Sequence, residues 1–409
     1  MSQKSKVTNN VTMLYIMNIT QLILPLVTLP YLTRILSVNS YGVVSYVKNI
    51  MAYVTLTIEF GFLLSGTRDI ANARTNDETN QILGNVITSK IILTFLSFIT
   101  LLVMIFSIKM LRNYPLFTIL MFIPQFLSIF LFDFYFRGIE RMQVITIRFL
   151  IMRGTATILT FFVVKNDSDL LYIPLLDIIG TLLAILWVHL EIKKLGVKIK
   201  LSSLKNVLNT LKESFTYFAS NIATTAFTAF NTVIVGIFLE PSKVSFWTLL
   251  MSLVVGVQQL YSPISDGIYP RIIKTKSLKL FKNILLIFSP LLIIGCLFTL
   301  FFAKYIVTII AGSKYIAMYP LLQLAVPLLF VSFYSILCGW PLLGAIGKIK
   351  ETTFSTIVAA ISQILGVILL LMLHIFNLYS LVILRILSES ILALVRIYYF
   401  VRFKNEFND

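Results

Sequence analysis

Apolar stretches of about twenty residues recur along the whole chain, separated by short breaks rich in charge and turn formers. A helix needs about 20 mostly apolar residues to cross the hydrocarbon of a bilayer, and lipid offers no partner for unpaired backbone groups. The repetition therefore dictates transmembrane helices. Twelve candidates fall near residues 11–33, 42–64, 83–108, 116–136, 145–164, 171–190, 214–238, 244–269, 283–303, 317–341, 352–373 and 379–401. The breaks read NSYG, RTNDETN, LRNYP, RGIERMQ, KNDSD, EPSK, GSKY and GKIK, all turn or charge signals. Only 12% of residues are charged, against about 25% in a soluble domain. The expected class is all-α, a polytopic membrane protein with 12 transmembrane helices.

The net charge of +17 would suggest nucleic acid in a soluble protein. Here most cations sit in short loops, where they set topology and meet anionic lipid. No nucleic-acid partner is expected. With the N-terminus inside, 22 cations fall in inside segments and 7 outside: Arg34, Lys109, Arg112, Lys165, Lys243, Lys304 and Lys314. An even span count with both termini cytoplasmic satisfies the positive-inside rule. Lys4 and Lys6 precede an apolar run without an A-x-A site, so the first span is expected to stay in the membrane. Cys296 and Cys338 lie within apolar spans and open no CxxC pair, and His189 and His374 are far apart. No disulfide, metal site or cofactor is expected.

The longest inside segment, EIKKLGVKIKLSSLKNVLNTLK, is central, with six spans on each side. A shift of 203 residues aligns Asn18 with Asn221, Ile19 with Ile222 and Leu36 with Leu239. Two six-span halves of equal orientation are parallel repeats, a transporter plan with the substrate path between them. The expected organisation is an N-terminal six-helix lobe at 1–190, a cytoplasmic linker at 191–212 and a C-terminal six-helix lobe at 213–409, around a central cavity.

Nine ionisable residues fall in or at the edge of spans: Lys48, Glu59, Lys90, Asp133, Arg153, Asp177, Arg385, Glu389 and Arg396. A charge at a helix centre costs roughly 2.5–3.5 kcal/mol on an insertion scale, so these should face protein or water. Lys48 and Glu59, eleven apart, are expected on one face with Thr55. Asp133 with Arg137, and Arg385 with Glu389, stand at i, i+4. Arg153 and Lys90 have no acid at i±3 or i±4, which leaves a partner on another helix or a bound anion. Prolines interrupt the first span at Pro25 and Pro30, the eighth at Pro263 and Pro270, and the tenth at Pro320, Pro327 and Pro341. The first and eighth are the expected bending helices. No Walker A, HExxH or GxSxG motif occurs, so no enzymatic activity is expected.

LPYLTRILSVNSYG (29–42) resembles the first-to-second-helix signature of polysaccharide repeat-unit flippases, with its Pro, its Arg–x–Leu and its Tyr–Gly. EFGFLLSGTRDIA (59–71), FDFYFRGIERM (132–142), AGSKYIAMYPLLQLAVPLLF (311–330) and GAIGKIKET (344–352) resemble later segments of that family in order and spacing. That family shares a superfamily with lipid II flippases and multidrug and toxin extrusion antiporters. The resemblance implies two six-helix lobes around a V-shaped cavity. It implies a flippase that moves an undecaprenyl-pyrophosphate-linked oligosaccharide from the inner to the outer leaflet of the bacterial plasma membrane, for O-antigen, capsule or related polymers. Candidate partners are membrane lipids, the polysaccharide polymerase and the chain-length regulator.

For a pyrophosphate cargo the candidate contacts are Lys48, Lys90, Arg153 and Arg385, with Arg34 and Arg137 near the two mouths. Glu59, Asp133, Asp177 and Glu389 would balance charge or carry protons or ions. Tyr15, Tyr46, Tyr217, Phe227 and Tyr261 are candidates for stacking on sugar, with core packing as the commoner role. A drug or cation antiporter of the same superfamily, or a membrane-embedded polysaccharide polymerase, are the alternatives. Five basic against four acidic intramembrane residues lean toward an anionic cargo.

Overall fold

The computed structural model describes residues 3–197 and 202–408, without the side chains at 3–8, 11, 220, 223–228 and 266. Lys198 and Lys200 of the linker and the Phe227 side chain lie outside the described residues. The helices are α1 (Gln3–Ile35), α2 (Val38–Glu59), α3 (Phe62–Asn72), α4 (Asn76–Ser107), α5 (Lys109–Asn113), α6 (Pro115–Leu127), α7 (Asp133–Gly138), α8 (Met142–Phe149), α9 (Thr155–Val163), α10 (Tyr172–Lys194), α11 (Leu204–Phe238), α12 (Pro241–Gln259), α13 (Ser262–Thr275), α14 (Leu278–Ala311), α15 (Tyr319–Leu324), α16 (Val326–Leu337), α17 (Ile349–Met372) and α18 (Leu378–Arg402). Among the described residues, eleven helical stretches are long and apolar enough to cross a membrane. The seventh expected span falls on α11, whose described apolar part is Ala229–Phe238. Large apolar side chains such as Phe95, Phe106, Leu286 and Phe301 stand exposed on the helix surfaces. Lipid covers such a surface without cost. The chain is a multi-pass membrane protein.

The chain forms two compact units, Met1–Val244 and Ser245–Asp409. In the first unit α11 packs on α2, α3 and α4. Ser65 and Ser214 share a hydrogen bond of 2.8 Å, the rings of Phe60 and Phe218 stack at 4.2 Å, and Gly236 lies against the ring of Tyr46. In the second unit α18 packs on α16 and α17. Its C-terminal end is tied down by Asn408, which accepts from the Leu278 N–H at 3.0 Å and donates to the Lys276 carbonyl at 2.8 Å.

Several span ends differ from the sequence expectation for local reasons. NSYG is not a turn but the first turn of α2, because the Ser37 hydroxyl caps the Ser40 N–H at 3.1 Å. A side chain that satisfies an orphan N–H starts a helix at once, and the connection between α1 and α2 shrinks to residues 36–37. The second span breaks without any proline: Phe60 (φ 41°) and Gly61 (φ 82°) are left-handed, and α3 begins anew at Phe62. Pro25 and Pro30 stay inside a continuous α1. The eighth span does break ahead of Pro263, between α12 and α13.

Candidate functional site

A cavity of about 480 Å³ opens among α1, α2, α9, α10 and the turn between α8 and α9, all within the first unit. Its polar lining includes Gln21, Lys48, Arg153, Thr157 and Asp177. Each is placed by a local cause. Pro25 also lines the cavity. It lacks an N–H, so the carbonyl of Gln21, four residues back, loses its helical donor and remains as an acceptor beside the cavity. Arg153 sits on a π-helical turn, Leu150–Gly154. Such wide turns are frequent at functional sites. The turn pushes the Met152 carbonyl toward α10, where only Gly180 leaves room: a Cβ there would collide with that oxygen. One turn before Gly180, Asp177 reaches Arg153 at 3.7 Å. Lys48 comes from α2 and is within electrostatic reach of both Asp177 and Arg153. Two cations thus share one carboxylate in a polar recess bounded by apolar helices, and Arg153 is 51% exposed. The arrangement suits a multiply charged anion, because one guanidinium face and one ammonium are not fully matched by the single acid.

The remaining candidates lie elsewhere. Lys90, on α4, donates to Glu59 Oε1 at 2.6 Å and sits over the Phe134 ring at 5.8 Å. Its partner is therefore on another helix. Asp133 does not pair with Arg137. It takes both Nε (2.7 Å) and Nη2 of Arg148. Both residues lie on the short helix α7, which Asp133 opens after the left-handed Phe132 (φ 52°), but the Asp133 carboxylate is taken up by the Arg148 guanidinium of α8. Asp133 is within electrostatic reach of Glu59 and Lys90, so the two ion pairs form one cluster. Lys48, Thr55 and Glu59 do not form one stripe. Lys48 faces the cavity, Thr55 donates to Gln125 on α6 at 2.6 Å, and Glu59 meets α4. Arg34 is exposed in the last turn of α1. Arg137 is half-buried on α7, and its Nε has no hydrogen-bond partner among the described residues.

In the second unit Arg385 and Glu389 pair at 3.3 Å, as their spacing predicts. Arg396 was expected to return to their face. It is linked to Glu389 through Ser335, whose hydroxyl donates to Glu389 at 2.5 Å and whose carbonyl accepts from Arg396 at 2.5 Å. Tyr46 and Tyr261 are buried, and Tyr261 donates to the Leu329 carbonyl at 3.1 Å, which makes both packing residues. Sequence reasoning missed Arg148. It stands at the head of the fifth span and reads as a loop cation, although it is buried.

Residues 7–276 match the family described as polysaccharide biosynthesis protein, about two thirds of the chain. The chain belongs to that family. Two curated relatives, from Shigella dysenteriae and Escherichia coli (strain K12), are assigned as O-antigen transporters. The first is 27% identical over 87% of this chain and 91% of its own length. The second is 28% identical over 81% of each. Among solved structures, the lipid II flippase MurJ in an inward closed conformation aligns at a TM-score of 0.73 and 15% identity, over 95% of this chain and 87% of that one. A multidrug resistance transporter of the multidrug and toxin extrusion family, inward-facing, aligns at 0.66 and 12% identity, over 94% and 98%. This member of the polysaccharide biosynthesis family therefore has the fold of those transporters. Its named relatives are transporters and not enzymes.

Proposed function

We propose that the chain is a flippase for undecaprenyl-pyrophosphate-linked oligosaccharide repeat units, carrying them from the inner to the outer leaflet of a bacterial plasma membrane by alternating access. The product serves O-antigen or capsule assembly. The observation that carries this reading is the pair of cations, Lys48 and Arg153, on a polar cavity inside membrane helices. Membership of the family and the O-antigen transporters among its relatives supply the cargo class. In this reading the pyrophosphate lies against Lys48 and Arg153, and Asp177 offsets part of their charge when no cargo is bound. Gln21 and Thr157 face the sugar hydroxyls, and the lipid tail stays in the bilayer.

Arg34 and Arg137 remain proposed contacts at the two mouths. Lys90 and Arg385, each held by an acid, are proposed as second-line charges that the cargo meets in another conformation. Glu59, Asp133 and Glu389 are proposed to balance charge or carry a coupling ion. Both termini are placed in the cytoplasm, with lobes at 1–190 and 213–409 joined by 191–212. The element boundaries support a repeat at that phase. The 203-residue shift carries Ile35 onto Phe238, Val38 onto Pro241 and Asn72 onto Thr275, and both 38–72 and 241–275 are apolar stretches of 35 residues. A cation antiporter would need an acid-dominated recess, whereas this one holds two cations and one acid.

The test is surface polymer in cells whose native flippase gene is deleted. Lys48→Ala and Arg153→Ala should each lower it about tenfold or more, the loss of one charge-assisted contact, with the protein inserted at normal level. Normal polymer in both variants would refute the anion site.

A further inference from the structure

The tenth span of the second unit does not run straight. After α16 the chain enters a π-helical stretch, Cys338–Leu343, in which Gly339 has a non-helical ψ of −113° and Pro341 lacks an N–H. A 3-10 turn follows, and Gly347 (φ 80°) ends it. Against this irregular stretch lies the buried side chain of Arg396, on α18. Its guanidinium is bonded on every nitrogen and to two other helices. Nη1 donates to the Ser335 carbonyl at 2.5 Å, one turn before Gly339. Nε donates to Ser355 at 3.1 Å and Nη2 to Thr356 at 3.2 Å, both on α17. Gly339 makes room for it: a Cβ at that position would stand 2.7 Å from Nη1 and 2.9 Å from Cζ. The far end of an arginine ordinarily gives way, but this one is held by three partners. Ser335 also donates to Glu389, so the charge of Arg396 has an acid behind it.

We propose that Arg396 is a positioning residue for transport: its guanidinium, seated against Gly339, fixes the break in the tenth membrane span. The inference rests on the transporter reading only for its consequence. The break is where that span changes direction, and an alternating-access protein must keep such an angle defined in each state. Arginine is required rather than any cation because its planar fork serves three acceptors at once. Glycine is required because the fork occupies the space of a side chain.

Cys338, buried beside Gly339, is a built-in reporter. Cys296→Ser leaves it as the only thiol of the chain. The experiment measures its rate of reaction with a membrane-permeant maleimide in the full-length protein in liposomes, together with surface polymer in cells. Arg396→Ala should raise the rate about tenfold or more, as one lost charge-assisted bond opens the turn. Arg396→Lys keeps a donor for the Ser335 carbonyl but loses the two bonds to α17, so its rate should fall between those of the parent and Arg396→Ala. Gly339→Ala should raise the rate about tenfold when Arg396 is present, and change the Arg396→Ala protein by less than about twofold, since coupled sites are not additive. A slow Cys338 in Arg396→Ala, or an equal effect of Gly339→Ala in both backgrounds, overturns the proposal. If Arg396→Ala does not accumulate, Ser355→Ala with Thr356→Val removes two partners. An unchanged rate there overturns the proposal equally. The labelling rate does not depend on the cargo. A failed flippase assay with labelling as expected removes the function and leaves the positioning role, and the reverse result removes the positioning role alone.

Discussion

Arg148 keeps only 8% of its side chain exposed, and Asp133, which binds it, keeps 29%; Lys90 and Glu59 divide in the same way, at 3% and 34%. In both pairs the cation is the buried member. Removing a partner from a buried charge costs about 3–5 kcal/mol, because that charge can no longer be solvated. An acid that still reaches water loses much less. Asp133→Ala should therefore destabilise the protein by about 3–5 kcal/mol, and Arg148→Met by less than half of that. The double variant should lie close to Arg148→Met, since it strands no charge. Thermal unfolding of the purified protein in detergent checks the order, and equal losses for the two single variants would contradict it. Glu59→Ala against Lys90→Met should repeat the pattern. The sequence marks Glu59, Lys90 and Asp133 as costly charges in apolar spans, and it leaves Lys90 to seek a partner on another helix. It does not reveal Arg148 as the mate of Asp133. That pairing depends on the left-handed Phe132, and nothing in FLFDFYF announces a backbone reversal.

At the scale of the element, the cavity depends on two irregularities, of which one is legible. Pro25 declares the unsatisfied carbonyl of Gln21 in advance. The π turn at Leu150–Gly154 has no such signature, since LIMRG contains no residue that forces an extra-wide turn. The turn is settled by packing, with the Met152 carbonyl opposite Gly180. Gly180→Ala should push α10 away from the turn, because the obstacle is backbone and cannot rotate aside. Overpacking of this kind costs about 1–3 kcal/mol. It should also lengthen the Arg153–Asp177 contact and lower surface polymer several-fold, while Gly154→Ala, which meets nothing within 4 Å, should leave both stability and polymer near normal. A Gly180→Ala protein with parental melting and polymer would mean that the turn does not hold the ion pair. The prolines of α1 teach a related lesson. In water they would end a helix, but in a membrane span the backbone has no better alternative and α1 stays continuous.

At the scale of the whole molecule, long apolar runs fix the spans because each must be near 30 Å, or about 20 residues, of helix. The stretches at 38–72 and 241–275 are longer, at 35 residues each, and roughly 52 Å of straight helix would overshoot the hydrocarbon. Both break near their C-terminal third, at Phe60–Gly61 and at Leu260–Tyr261. The polar ends, with Arg68 and Asp69 on α3 and Arg271 and Lys274 on α13, are thereby free to run along the interface, where cations anchor a helix. We propose that both ends lie on one side of the membrane, the expectation from the proposed repeat and from the 22 cations against 7. Reporter fusions after residues 75, 195, 275 and 348 test this. Thr75 caps the start of α4, Leu195 follows α10, Thr275 closes α13 and Lys348 precedes α17, so none of the four interrupts a span. Each is separated from the next by an even number of expected spans, and all four should report cytoplasm, while fusions after 166 and 312 should report outside. The pair at 195 and 275 is decisive for α11. If that helix, despite packing on α2, α3 and α4, did not cross, only the span formed by α12 and α13 would separate the two positions, and they would report opposite sides.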